Sequence, residues 1–358
     1  MVFMVIFANT LLIVYMNGSR KTFFEKRSRN SQNTSSTQFT VESTSIPTTT
    51  AKPKIVNYAY PLNIDFVQLF EEEKAQNRVL PIRPINPHNF TYIANPLNIC
   101  KSKSHREENG VFVLILIKSA RKNIHLRQYI RLSKRNENFQ KWKERVRIVF
   151  LLGYSFTESN VAISKESAVF GDIVQEDFED TYRNITFKTI MGYNWAISYC
   201  SRATHILYQD DDFHFNVDNL FKFLTHHKDP ESVFIGLYVK DAPPERRKTH
   251  KSYVSFKDYP HSTFPPYFPG GAYVVSSNIA GNLTRTFPYV KHLVVDDVYI
   301  GIVAQKLNIT LEHSRLLDFR NCANYSQIIA CRGYSNKKEI FDGWMNLVRE
   351  MDFSVNLH

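Results

Sequence analysis

A chain of 358 residues has room for one large domain or two ordinary ones, and an apolar fraction of 43%, with 27 Phe and 19 Tyr, supplies a substantial core. Lys and Arg outnumber Asp and Glu by 45 to 34; the net charge of +11 suits a polyanionic partner, whether nucleic acid, membrane surface or nucleotide diphosphate. The four cysteines (Cys100, Cys200, Cys322 and Cys331) form no CxxC pair, which argues against a zinc site, and no nucleic-acid-binding motif is present.

Met1 to Met16 is almost wholly apolar, interrupted by Asn9 and Thr10, and reads as a short signal-anchor membrane segment. No small-residue cleavage site follows it. The basic cluster Arg20, Lys21, Lys26, Arg27 and Arg29 lies on its C-terminal side, which by the positive-inside rule favours the opposite orientation to a luminal C-terminus. Asn-x-Ser/Thr sequons beginning at Asn33, Asn89, Asn184, Asn282, Asn308 and Asn324 favour the secretory pathway. The cysteines then suit two disulfides, with Cys322–Cys331 favoured by proximity and four free thiols as the alternative. Residues 17–98 read as a stem and a transitional region: the Ser/Thr/Asn-rich stretch from about Ser28 to Lys54 cannot bury enough surface to fold. Residues 99–358 remain for the main folded domain.

Regular structure is expected from Val111. Val111–Ile117 (VFVLILI) and Val146–Leu152 (VRIVFLL) are continuous apolar runs, as expected of strands covered on both faces. Asn123 to Arg145, rich in charge, reads as largely helical. Asp180 to Cys200 is a further helix, with Phe187, Met191, Trp195 and Tyr199 as its buried stripe. A short strand, His205–Tyr208, follows. The alternation implies an α/β fold with a largely parallel sheet, whose ligands bind beyond the carboxyl ends of the strands.

Four segments carry candidate chemistry. Asp210, Asp211 and Asp212 stand where the His205–Tyr208 strand ends. Adjacent carboxylates repel, and a hard divalent cation bridging them to a diphosphate is the simplest reason to keep them together. In an extended segment Asp210 and Asp212 face one way and Asp211 the other. An acidic loop or helix cap is the alternative. Asp296 and Asp297 follow the apolar Leu293–Val295; a carboxylate in such a setting suits a general base, and a helix N-terminus with first-turn acids is the bland reading. Gly270 and Gly271, within Tyr267–Tyr273, allow close approach of backbone to ligand, or simply form a turn before a strand at Tyr273–Ser276. Arg127 and Arg131, four apart, share a helix face and could clamp phosphates; a solvated basic face is the competing reading.

In this order the segments resemble the β1,3-galactosyltransferases and their N-acetylglucosaminyl relatives. Arg127-Gln-Tyr-Ile130-Arg131-Leu-Ser133 is similar to that family's R-x-x-I-R-x-T-W, and Phe150-Leu-Leu-Gly153 to its second strand. Gly171 to Thr189 resembles D-I-I-x-x-D-F-x-D-S-Y-x-N-L-T-L-K-T, with Trp195 and Cys200 in place. Asp210–Asp212 matches D-x-D; Pro265 to Tyr273 resembles Y-P-P-Y-x-x-G-x-G-Y; Asp296 to Gly301 resembles E-D-V-Y-x-G. The resemblance covers roughly Gly110 to Leu311.

It implies a GT-A fold, a Rossmann-like mixed sheet flanked by helices, with type II topology in the Golgi membrane. It also implies Mn²⁺ or another divalent cation, and inverting transfer of a hexose, galactose in β1,3 linkage, from a UDP-sugar donor to a glycan acceptor. Carried over, Asp212 is the main metal ligand, and Asp210 contacts the metal or the ribose. Asp297 is the catalytic base. Arg127, Arg131, Asp211, Gly270 and Gly271 lie near the nucleotide-sugar. Three departures stand out: Ser133-Lys134 replaces Thr-Trp, Asp296 replaces Glu, and the stretch Ala330–Tyr334 lacks the family's metal-holding His, with His313 the nearest substitute. The missing His motivates a different class of function, a catalytically weak or inactive partner of an active transferase. A nucleic-acid partner is not expected.

Overall fold

The computed structural model describes residues 64–76, 83–101, 110–135, 137–269, 271–318 and 327–332. The expected signal anchor, most of the stem, Gly270 and Cys322 lie outside these described residues. The described part falls within one compact unit, Lys54–His358.

In chain order the elements are α1 (Phe66–Gln76), β1 (Tyr92–Ala94), β2 (Val113–Lys118), α2 (Ile124–Ser133), α3 (Glu137–Trp142), β3 (Val146–Tyr154), α4 (Val161–Phe170), β4 (Ile173–Glu179) and α5 (Ile185–Tyr199). There follow β5 (His205–Asp210), β6 (Phe213–Phe215), α6 (Val217–His226), β7 (Phe234–Gly236), β8 (Ala272–Ser276), α7 (Ser277–Thr286), α8 (Asp296–Lys306), β9 (Glu312–His313), β10 (Leu317–Asp318) and β11 (Ala330–Arg332). An eight-stranded sheet runs β1-β4-β3-β2-β5-β8-β7-β9. The four central strands β4, β3, β2 and β5 are parallel, while β1 and β8 pair antiparallel on either side. The sheet is therefore mixed rather than largely parallel.

The apolar strand runs have the expected cause. Side chains alternate across a strand, so Val113, Ile115 and Ile117 enter one core with Phe221 and Leu224 of α6, and Leu114 and Leu116 enter the other with Met191 and Trp195 of α5. Helix α5 is buried on nearly all sides, including Ile190, Tyr193 and Ala196. The expected stripe holds at Met191 and Trp195 and fails at Tyr199, which is 38% exposed at the helix end.

The folded body begins before residue 99. Phe66 of α1 is buried against Tyr289, and β1 forms an edge of the main sheet. Part of the transitional region thus belongs to the domain. Cys100 is disulfide-bonded to Cys200, 100 residues on, which ties the segment after β1 to the end of α5. Cys331 is disulfide-bonded too, and no described cysteine is a free thiol.

A second sheet, β10-β11-β6, positions the site. Strand β6 leaves the three aspartates directly, and its antiparallel register sets Phe213 opposite Arg332 of β11.

Candidate active site

The site is built where β2 and β5 end together. Lys118 and Asp210 are the last residues of these adjacent parallel strands and are register partners. The N-terminus of α8 delivers Asp296 and Asp297 to the same place. The Lys118 Nζ is 3.1 Å from Asp210, 2.8 Å from Asp296 and 3.9 Å from Asp297. Burial alone would lower the Lys118 pKa; these carboxylates outweigh it and hold the ammonium well above its ordinary value.

The two neighbouring acids of α8 differ in surroundings. Asp296 is buried, bonded to Lys118 and to Thr189 Oγ1 at 2.6 Å. Burial pushes its pKa up, but Lys118 and Thr189 bring it below the ordinary value. Asp297 keeps an 18% accessible side chain. Both sit in the first helical turn, where the macrodipole favours negative charge.

The three aspartates divide as an extended segment predicts. Asp211 points inward, accepting from Ser119 Oγ at 2.6 Å and Asn123 Nδ2 at 3.0 Å; burial pushes its pKa up to about 6 against those two bonds. Asp210 and Asp212 are the accessible pair, with side chains 36% and 28% exposed. Asp212 Oδ2 is 2.9 Å from Arg332 Nη2. Gly271 lies against Asp210: its φ is +111°, and a Cβ there would stand 2.9 Å from Asp210 Oδ2. This glycine is required by an acid of the site as well as by its own backbone. Gly301 of α8 plays a similar part, its missing side chain admitting Pro266 and Tyr267.

The expected phosphate clamp is placed elsewhere. All five Arg127 donors are used internally: Glu166 twice (2.8 and 2.6 Å), Ser119 Oγ, and the carbonyls of Ala120 and Arg121. Arg131 is committed to Glu166 and Asp172, between the rings of Phe150 and Phe170. Neither guanidinium reaches the Lys118 cluster. Arg127 acts on it indirectly, since the hydroxyl of Ser119 accepts from Arg127 and donates to Asp211. His313 lies on β9, three strand spacings or about 14 Å from β5, where it meets Tyr238. Arg332, from the stretch lacking the His, is the residue beside Asp212.

Residues the sequence reading passed over complete the site: Lys118, Ser119, Thr189, and a column of rings beneath it. Tyr193, Tyr208, Tyr273 and Phe268 stack successively at 5.4, 5.4 and 5.7 Å, with Lys118 5.8 Å above Tyr208. Lys118 carried a signal, a lone charge ending an apolar strand, which must find buried partners.

Asp210, Asp212, Asp296 and Asp297 outnumber Lys118 and Arg332, leaving surplus negative charge at a partly open strand end. Among the described residues no three His, Cys, Asp or Glu side chains form a ready-made metal cage. Two accessible carboxylates are nonetheless the donor set that suits a hard divalent cation completed by ligand phosphates and water. The arrangement can hold a cation, receive a proton at Asp297, and oppose a diphosphate with Arg332.

The galactosyltransferase family model matches residues 125–315. Mouse (Mus musculus) and human (Homo sapiens) beta-1,3-galactosyltransferase 1 are each 36% identical to the chain over 229 residues, 63% of this chain and 68% of theirs. Rat (Rattus norvegicus) UDP-GalNAc:beta-1,3-N-acetylgalactosaminyltransferase 1 is 31% identical over 260 residues, 70% of this chain and 78% of its own length.

Proposed function

From the premise that this chain belongs to the galactosyltransferase family, we propose that it is an inverting hexosyltransferase moving galactose from UDP-galactose to a hydroxyl of a glycan acceptor in β1,3 linkage. The observation that carries this reading is the meeting of Asp210, Asp212, Asp296 and Asp297 around Lys118 at the carboxyl ends of β2 and β5.

In this mechanism Asp297 takes the proton of the acceptor hydroxyl as that oxygen attacks the anomeric carbon from the face opposite UDP. Asp296, bonded to Lys118 and Thr189, holds the start of α8 so that its neighbour stays aimed. Asp212 and Asp210 would hold Mn²⁺ or another divalent cation, which would supply positive charge against the departing diphosphate. Arg332 adds a fixed positive charge beside the same phosphates. The ammonium of Lys118 holds the carboxyl of Asp296 below its ordinary value and opposes the burial that pushes Asp210 up.

The proposal extends to a GT-A classification and to residence in the Golgi membrane, with residues 1–16 as a signal anchor, type II topology and the catalytic domain luminal. Its support is the apolar N-terminus, the sequons and the disulfide. The test is UDP release from Lys54–His358, secreted from cells, with a panel of UDP-sugars, Mn²⁺ and saccharide acceptors. Galactose transfer is expected. Absence of release from every donor would overturn the reading.

A further inference from the structure

Asp211 stands between the two accessible carboxylates, and its own carboxylate is turned into the protein. Its Oδ2 accepts from Ser119 Oγ at 2.6 Å and from Asn123 Nδ2 at 3.0 Å. Its N–H donates to the Lys118 carbonyl at 3.0 Å, and the N–H of Asp210 donates to the Gly271 carbonyl at 2.8 Å. The backbone of the three aspartates is thus tied to the end of β2 and to the residue before β8. In an extended segment, turning the middle side chain inward turns both of its neighbours outward.

Ser119 is itself held by three other elements. Its N–H donates to the Leu151 carbonyl of β3 at 3.2 Å, and its carbonyl accepts from Lys188 Nζ of α5 at 2.7 Å. Its hydroxyl oxygen accepts from Arg127 Nη1 of α2 at 2.9 Å. Lys188 is closed on Asp180 at 2.7 Å, and Arg127 on Glu166 at 2.6 Å. A serine hydroxyl has one proton to give. With Arg127 on its oxygen, that proton goes to Asp211 at 2.6 Å rather than to the Ala120 carbonyl at 3.4 Å. The chain Glu166–Arg127–Ser119–Asp211 therefore has every link between 2.6 and 2.9 Å.

Asn123 points the same way by a different sign. It precedes α2, where an asparagine side chain ordinarily accepts from an N–H of the first turn. Here it makes no such cap, and its amide donates to Asp211 instead. The start of α2 has given up its own cap in favour of the acidic segment.

Resting on the transferase reading, in which Asp210 and Asp212 would hold the divalent cation, we propose that Ser119 and Asn123 are positioning residues for that cation. With Arg127 behind Ser119, they hold Asp211 inward and so aim its two neighbours outward at the strand end. Asp211 is then the pivot of the segment and not a contact of the nucleotide-sugar.

The test uses the full chain purified in detergent. Mn²⁺ binding at saturating UDP is followed by electron paramagnetic resonance of the free ion, UDP binding in EDTA by calorimetry, and folding by thermal unfolding. Ser119→Ala and Asn123→Ala should each raise the Mn²⁺ dissociation constant about tenfold, the low end of the roughly 10–100-fold that loss of a ligand-orienting partner costs. Ser119→Thr, which keeps the hydroxyl, should bind Mn²⁺ like wild type. UDP binding in EDTA should not change in any of the three. If Ser119→Ala does not fold, Asn123→Ala, at a half-buried position, carries the same prediction. Unchanged Mn²⁺ affinity in the folded alanine variants would overturn the proposal and leave the transferase reading intact. Ser119→Thr as weak as Ser119→Ala, or UDP binding in EDTA lost together with Mn²⁺, would show a merely structural role and overturn it as well. A wild-type chain that binds no Mn²⁺ at saturating UDP would overturn the metal assignment itself.

Discussion

Around Arg127 and Arg131 two guanidinium groups face the carboxylates of Glu166 and Asp172, every contact closed and almost no accessible surface left. Around Lys118 one ammonium faces three carboxylates, and Asp210 and Asp297 keep accessible oxygen. The two clusters touch through Ser119, which bonds Arg127 on one side and Asp211 on the other. Two guanidinium groups closed on two buried carboxylates make a strut. An excess of one sign at a partly open strand end is a place where protons and cations can be exchanged. The comparison separates residues that hold the protein together from residues that act, although both sets are charged and each is built around buried cations.

The sharpest way to break this comparison is Asp297→Asn. It should lower turnover by about 10²–10⁴-fold, the usual worth of a general base, while calorimetry shows UDP-sugar binding and thermal unfolding nearly unchanged. Near-normal turnover would move the base elsewhere. Glu166→Gln should show the opposite signature, because two arginines lose a buried partner: a loss of about 3–5 kcal/mol in folding stability, read by denaturant unfolding, with turnover per folded molecule preserved. Its pH dependence follows. Burial raises the Glu166 pKa, but bonds from Arg127 and Arg131 bring it below the ordinary value. The stabilisation is therefore full above the unfolded carboxylate pKa and is lost as pH falls through the lowered folded value. Wild type should show that acid limb and Glu166→Gln should lack it.

Gly271→Ala probes the junction between the two behaviours. The positive φ and the 2.9 Å approach to Asp210 predict about 1–3 kcal/mol of destabilisation, together with weaker Mn²⁺ binding measured by competition with a fluorescent chelator. A variant with wild-type stability and metal affinity would remove Gly271 from the site. The smallest effect is expected at Arg332, 56% exposed in its pair with Asp212. Arg332→His should lower the Mn²⁺ concentration for half-maximal rate about fivefold, since imidazole can coordinate and guanidinium cannot. Asp212→Ala should abolish the metal response. Full activity of Asp212→Ala, or indifference to EDTA, would refute the metal assignment.

Much of this was legible in the sequence where chemistry and local pattern coincide. The apolar run His205–Tyr208 had to end as a strand at the aspartates, and the alternation of Asp210, Asp211 and Asp212 followed from the period of two. The helical spacing of Arg127 and Arg131 was legible as well; what they face was not. Glu166 and Asp172 stand 39 and 41 residues away, and only the packing of α4 and β4 against α2 brings them close. A basic pair therefore reads as a phosphate clamp when its partners are remote. Lys118 was hidden for the same reason: its meaning lies in Asp296, 178 residues further on. The short strands β1 and β6, three residues each, carry too little periodicity to be read, and with them went the true start of the domain and the way β11 returns to the site.

That return has a consequence for how the protein is made. Arg332 reaches Asp212 only because β11 pairs with β6, and the two residues are 120 positions apart (332 minus 212). At 5–20 residues per second a ribosome needs roughly 6–24 s to cover that distance. During this interval the emerging polypeptide carries its acidic cluster with the central strands β2 to β5 already synthesised, but without the cation that caps it. The site is thus finished by the last described strand to leave the ribosome, and a nascent chain released just short of residue 330 would keep the sequence of its main sheet while lacking the guanidinium beside Asp212.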